Sequence, residues 1–374
     1  MTAGASSPGS GPRSGPARRR WLAVVTSGFP RRSETFLLNE LLALEASGVL
    51  GAILATGPGD GSPPQPGVAR LAHRVQLLPQ GSAEEQGAAA ADALAGGGVT
   101  AVHGYFAHTP AAVAARSARL LGIPYGFSVH ARDARKAGHA ALGARAKRAA
   151  CVIVCNGDAA AEVRRSGGRP TLVPHGVDVD RFRAGPPPGD GPLRLLAVGR
   201  LVEKKGFDVL VEALRRVDLP VLLRIVGEGP QRARLAGAIS AAGLKNVVEL
   251  RGALSHVELP DEYAAADVVV APSLTDADGD RDGLPNVVLE AMASGRPVIA
   301  GDAGAVASGV VDGVTGILVA PGEPAALATA IARLGREPRL RRELGRRGRR
   351  RAERHFDLGR CSQRLHRALE AAYA

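Results

Sequence analysis

The sequence predicts an α/β protein built as two parallel-sheet domains facing a central cleft, and three observations carry that expectation. Its 374 residues exceed what one hydrophobic core usually organises. Short β-branched runs alternate with Ala/Leu-rich amphipathic stretches, the grammar of a parallel sheet covered by helices. That alternation is broken by one Pro/Gly-rich stretch, RAGPPPGDGP, and then resumes.

Taken in order, residues 1–19 are Gly, Pro, Ser and Ala without periodicity and are expected to form a disordered leader. A first, Rossmann-like domain spans 20–182, with strands expected at RWLAVVTS, GAILATG, TAVHGYF, YGFSVHA and CVIVCN. Residues 183–192 are the linker. The second Rossmann-like domain spans 193–356, with strands at LRLLAVGR, VLLRIVGEG, VVELRGA, DVVVAPS, RPVIAGD and GILVAPG. Residues 357–374 are expected to form a C-terminal helix packing back on the first domain.

Composition removes several function classes. Three cysteines are too few for a disulfide framework, and Cys151 and Cys155 bracket the apolar run VIV, which suits buried reduced thiols better than metal ligands. No run approaches the roughly 18 apolar residues of a membrane span, and the apolar part of RRRWLAVVTSGFP is too short for a secretory signal. A cytoplasmic protein is expected. The formal charge of +12 is concentrated in residues 333–354, where eleven Arg stand against three Glu. Aromatics make up 3% of the chain and do not interleave with that tract, so the stacking platform of a nucleic-acid binder is missing. A solvated helical face, or a peripheral contact with an anionic membrane, fits the tract instead.

In open α/β sheets ligands sit beyond the carboxyl ends of the strands, so the residues after each run are the informative ones. After LRLLAV comes GRLVEKKG, where Gly199 permits close backbone approach and Arg200 and Lys205 leave the strand as two cations. A fork-shaped guanidinium and a mobile ammonium together suit a diphosphate leaving group without metal. The loop GEGP after the next strand lacks the third glycine of a dinucleotide fingerprint. In GDRDGLPNVVLEAMASG, Asp282 lies in a loop and Glu290 on a helix whose first turn Pro285 suits. Free N–H groups around Gly283, Leu284 and Asn286 favour an anion, and the two carboxylates accept from hydroxyls. Phosphate between hydroxyl-bearing rings describes a sugar nucleotide.

Metal patterns fit less well. A calcium loop starting at Asp278 would need its glutamate at Leu289, and Glu290 arrives one residue late. Asp278 and Asp280 also spell Asp-x-Asp, but the paired cations make a metal unnecessary. A hydrolase acid pair would not need Arg200 and Lys205 beside it. Neither metal nor cofactor is expected.

The motifs GR, KG, EGP, PS, DGLPNVVLEAMASGRPVIA and DGVTGILV, in this order, resemble the retaining sugar-nucleotide glycosyltransferases of family 4, over Trp21 to about Phe356. SGFPRRSETFLLNEL is similar to the branch that builds exopolysaccharide and colanic-acid-type glycans. The resemblance implies a GT-B fold and a nucleoside diphosphate sugar as donor. It assigns the ribose to Glu290, the donor sugar to Asp282 with nearby backbone N–H groups, and the diphosphate to Arg200 and Lys205. The family usually has Glu where this chain has Asp282, one methylene shorter, which leaves donor choice and rate open. Gly28 resembles the glycine that lets its loop approach the donor phosphates. In VHARD, His130 and Asp133 resemble the family's His followed by Asp, and His130 is expected to touch the donor sugar or position the acceptor. VHGYFAH keeps His103 but has Tyr105 where a second histidine is common, and His175 falls in a stretch of structural character.

The expected reaction is sugar transfer to an acceptor hydroxyl with retention. No side chain is an obvious covalent nucleophile, so the leaving phosphate oxygen is expected to take the acceptor proton, with His130, Arg200, Lys205 and Asp282 positioning and stabilising charge. The acceptor is a glycan, a lipid-linked saccharide or a small molecule. A secondary-metabolite enzyme, a catalytically silent sugar-nucleotide-binding subunit and an anionic-surface binding protein are the alternatives.

Overall fold

Strand formation follows the apolar runs, and the computed structural model describes residues 21–32, 34–61, 65–130, 137–185 and 191–373. The expected leader, Asp133 and much of the expected linker lie outside the described residues. The first sheet contains β1 Leu22–Thr26, β2 Leu50–Ala55, β3 Val75–Leu77, β4 Ala101–Tyr105, β5 Tyr125–Val129, β6 Cys151–Val154 and β7 Pro170–Leu172. All neighbours are parallel, in the order β3-β2-β1-β4-β5-β6-β7. The central strands β1 and β4 are buried along their whole length, as covered parallel strands require. β3 and β7 are additions to the five strands read from the sequence. Each is a three-residue edge strand with two exposed residues, too short to leave a pattern.

The second sheet contains β8 Leu193–Val198, β9 Val221–Val226, β10 Val248–Gly252, β11 Val268–Ala271, β12 Val298–Gly301 and β13 Gly316–Val319, again all parallel, in the order β10-β9-β8-β11-β12-β13. This is the two-domain GT-B architecture. In each sheet the order reverses once, between β1 and β4 and between β8 and β11, and a crevice opens beyond the carboxyl ends of such a pair. Arg200 follows β8, and Asp282 lies in the loop after β11.

The helix Leu358–Tyr373 crosses back to the first domain, where Leu365, Leu369 and Tyr373 join the core around β1 and the helix Thr35–Ala46. Tyr373 stacks edge-on to Trp21 with ring centres 5.9 Å apart. The two passages between domains run side by side: Val177 N–H donates to Phe356 O at 2.7 Å, and Leu358 N–H to Val177 O at 2.9 Å. Among the described residues no helix is long and apolar enough to cross a membrane.

Candidate functional site

The loop after β11 folds over the turn after β8 and brings acids onto lysines. Lys205 Nζ donates to Asp282 Oδ2 at 2.6 Å, and Lys204 Nζ lies 3.3 Å from Asp282 Oδ1 and 3.1 Å from Asp280 Oδ2. Ser273 Oγ donates to Asp282 Oδ2 at 3.1 Å. Burial pushes the Asp282 carboxyl up, but the charges of Lys205 and Lys204 and their hydrogen bonds outweigh it, so its pKa lies below the ordinary value. An ammonium has three donors, and Asp282 uses one of those on Lys205. Glycines permit these close approaches. A Cβ on Gly304 would stand 2.0 Å from Asp282 O, and one on Gly227 1.8 Å from Gly199 O. Among the described residues no group of three His, Cys, Asp or Glu is placed to hold a metal.

The helix that follows runs Asn286–Ala293, with Pro285 at its N-cap. Sequence reading put Pro285 inside the first turn; its ψ of 137° is extended, which places it one step earlier. Glu290 is buried on this helix and accepts from Tyr263 Oη at 2.7 Å. Burial raises its pKa, against the hydrogen bond from Tyr263 and the charge of Arg181. Asn286, Glu290 and Arg181 line a pocket shared with Thr35, Phe36 and Asn39 of the first domain. Leu284 packs its side chain under Gly309, where a Cβ would meet Cδ1 at 2.6 Å, so Leu284 can offer the cleft only backbone. Gly283 sits between it and Asp282 in the same loop.

Arg200 is exposed at the end of β8, and the neighbouring Lys205 folds back so that a Cβ on Gly199 would lie 3.4 Å from its Cε. Gly28 is buried, and a Cβ there would strike Pro58 O at 2.3 Å, so packing against the next loop is enough to demand glycine. Glu34 stands at the N-cap of the helix Thr35–Ala46, pushed up to about 7 by burial, with Arg31 opposing and Asp60 reinforcing the shift.

On the first-domain side, His130 follows β5 and stacks in an aromatic cluster: its ring centre is 4.8 Å from Phe36, 4.9 Å from Phe106 and 5.1 Å from His175. Burial and three nearby histidines, His175 foremost, hold it neutral, well below its usual range. Glu40, which sequence reasoning missed, ties this cluster together. One of its oxygens accepts from Tyr105 Oη at 2.7 Å and the other lies 2.7 Å from His175 Nδ1. Burial works against the His175 cation, but Cys155 and Glu40 beside it raise its pKa to about 10. Tyr105, where a histidine is common, therefore anchors Glu40. His103 is wholly buried between Tyr373 Oη at 2.8 Å and Ser128 Oγ at 2.9 Å, and burial drops its pKa to about 3. It joins the sheet to the C-terminal helix.

Lys204, Lys205, Asp280 and Asp282 thus meet beyond the carboxyl ends of β8 and β11, and the helix carrying Glu290 starts four residues after Asp282. Residues 33–181 match glycosyltransferase family 4, and residues 178–351 match glycosyl transferases group 1, so the two matches together run through both domains. The chain belongs to the family 4 glycosyltransferases. This glycosyltransferase is 38% identical over 146 residues to the amylovoran biosynthesis glycosyltransferase AmsK of Erwinia amylovora, covering 38% of the chain and 36% of that relative. It is 37% identical over 191 residues to a GDP-mannose-dependent alpha-(1-6)-phosphatidylinositol monomannoside mannosyltransferase of Mycolicibacterium smegmatis, covering 47% of the chain and 50% of that relative. The alignments therefore span half or less of these relatives. HepE of Anabaena, solved in complex with UDP, shares the fold with a TM-score of 0.80 at 19% identity, covering 94% of this chain and all of that one. Lys204, Tyr263 and Glu40 are neighbours of these residues that the sequence did not single out, and of the three only Lys204, adjacent to Lys205, carried a visible signal. Asp280, noted there as part of an Asp-x-Asp pattern, pairs with Lys204 instead.

Proposed function

We propose that this glycosyltransferase moves a sugar from a nucleoside diphosphate donor to an acceptor hydroxyl, with retention and without metal or cofactor, in bacterial exopolysaccharide synthesis. The observation that carries this reading is the meeting of Lys204, Lys205 and Asp282 beside the start of the helix bearing Glu290. Arg200 and Lys205 hold the diphosphate, with N–H groups of Gly283, Leu284 and Asn286 adding partial positive charge. Glu290, already bonded by Tyr263, accepts from the ribose with its remaining lone pairs. Asp282 accepts from the transferred sugar. His130 is a neutral imidazole that orients donor sugar or acceptor, and the leaving phosphate oxygen takes the acceptor proton, so the C–O bond to phosphate breaks as the new glycosidic bond forms on the same face. Likeness to a glycosyltransferase of amylovoran biosynthesis supports the exopolysaccharide setting, and the UDP bound by a structural neighbour supports a nucleotide donor. The enzyme works in the cytosol, with the outer face of the Arg tract touching an anionic membrane.

A thermal-shift panel of UDP- and GDP-sugars tests the reading. A donor at 100 times its Kd stabilises the native state by about 2.7 kcal/mol, a readily visible rise in Tm. No shift with any donor or with the bare nucleoside diphosphates would overturn it.

A further inference from the structure

We infer that the arginines gathered around the loop Gly295–Pro297 form a binding site for a phosphate-bearing anion, separate from the transfer site. The cavity holds about 280 Å³ and is lined by Arg296, Arg341, Arg342, Arg346, Arg349 and Arg350, with Asp267 as its one carboxylate. Its place in the fold sets it apart. Asp267 immediately precedes β11 and Pro297 immediately precedes β12, so the cavity opens at the amino ends of the strands, whereas Arg200 and Asp282 lie beyond carboxyl ends.

These arginines outnumber the acids beside them: Arg341 lies 3.8 Å from Asp267, and Arg346 and Arg349 pair with Glu343 and Glu353. Arg296 donates to Tyr263 O at 3.2 Å and Ala264 O at 2.8 Å. Arg341 donates to Leu334 O at 2.8 Å, and Arg349 to Val179 O at 2.9 Å and Phe182 O at 2.7 Å. Carbonyl oxygens satisfy the N–H groups and fix the planes of the guanidiniums, but they carry no net charge. The acids are shared: Asp267 also accepts from Arg194 Nε at 3.1 Å, and Glu343 pairs with Arg347 at 2.6 Å as well as with Arg346. Arg342 and Arg350 are exposed and have no hydrogen bond or ion pair among the described residues. Arg342, Arg346 and Arg350 recur every fourth residue, which puts them on one helical face about 6 Å apart in rise. The two unpaired forks of Arg342 and Arg350, over a floor of fixed ones, match the several oxygens of a phosphate group, the geometry in which Arg binds most strongly. Such an anion is either free in solution or the headgroup of a lipid.

The test uses the full chain with Lys205→Ala, which weakens phosphate binding at the transfer site. Calorimetry with inorganic pyrophosphate at low ionic strength reads the free anion. Sedimentation with phosphatidylcholine vesicles containing phosphatidylglycerol reads the lipid. The comparison variant is Arg342→Gln with Arg350→Gln, which removes no internal contact of the described residues and so keeps the fold. A tenfold or greater loss of pyrophosphate affinity in that variant, with vesicle binding unchanged, supports the site with a free anion. A matching loss of vesicle binding supports it with a lipid headgroup. Absence of binding in both arms, or binding that the double variant leaves intact in both, overturns it.

Discussion

Lys205 Nζ and Asp282 Oδ2 stand 2.6 Å apart, so the cation assigned to the donor's diphosphate and the acid assigned to its sugar form one ion pair. On the proposed reading the pair stands where diphosphate and sugar would join, and Lys204 on the other carboxylate oxygen helps hold the Asp282 pKa below its ordinary value.

Arg200 is free of such duties. Arg200→Ala is expected to lower turnover by about 10² or more, as loss of a transition-state donor does, with Tm unchanged because the residue is exposed. Initial rates and a melting curve on the same preparation check both halves, and near-normal turnover would remove Arg200 from the mechanism.

The two acids should fail differently. In Glu290→Gln an amide donor replaces an acceptor at the ribose, so the affinity for donor and for bare nucleoside diphosphate should fall alike, by about tenfold or more. Asp282→Ala should spare the bare nucleotide and lose turnover, while Asp282→Glu is tolerated or shifts sugar preference. Equal loss of nucleotide affinity in calorimetry would show that the acids do not divide the donor between them. Because burial raises the Glu290 pKa, the ionised form is penalised in the folded state at pH above its ordinary value of 4.5. Glu290→Gln should therefore raise Tm at neutral pH while it weakens binding.

His175 supplies a pH signature. Its pKa rises from 6.5 to about 10, so its contribution to stability is full below 6.5 and is lost as pH climbs through 10. Wild type should lose stability over that window, and His175→Gln should flatten the decline. Glu40→Ala strands both His175 and Tyr105 and should cost about 3 kcal/mol, measured by denaturant unfolding. A pH profile unchanged by His175→Gln would mean that the imidazole is not charged in the fold.

Turnover should survive exhaustive EDTA, since Arg200, Lys204 and Lys205 provide the positive charge. A loss that Mg²⁺ or Mn²⁺ restores would replace those side chains with a metal as the main stabiliser.

Membrane contact by the tract should depend on the outward residues Arg339, Arg347 and Arg354, each contributing roughly 1 kcal/mol near an anionic leaflet. Arg349 and Arg351 are excluded, because their guanidiniums serve internal carbonyls, Arg351 Nε donating to Gly309 O at 2.7 Å. Changing the three outward arginines to Gln should abolish sedimentation with anionic vesicles; unaltered sedimentation would leave only a solvated face.

Much of this was legible in the sequence, and for an identifiable reason. Covered parallel strands are largely apolar, so β8, β9 and β11 show as apolar runs, broken only by Arg194 in β8 and Arg224 in β9, and residues at their carboxyl ends are found by counting. Gly199, Arg200 and Lys205 were reached that way, and Asp282 and Glu290 from the two acids of the loop-and-helix stretch GDRDGLPNVVLEAMASG. Glu40 and Tyr263 were not, because each is an isolated polar residue on a helix, and its partner lies far away in sequence: His175 for one, Glu290 for the other. Gly28 shows the opposite limit. The chain's demand for glycine there was visible, but whether a phosphate or Pro58 O stands against it is a matter of packing.

The returning helix Leu358–Tyr373 makes the first domain discontinuous in sequence. During synthesis, the pocket around Trp21 and His103 has to wait, unfilled, until Tyr373 has left the ribosome, while the second domain, contiguous from β8, has all of its strands available earlier. The usual amino-to-carboxyl order of domain completion is thereby reversed. A fragment ending at the linker would expose that apolar seat, and separate expression of the two domains should yield a well-behaved second domain and an aggregating first.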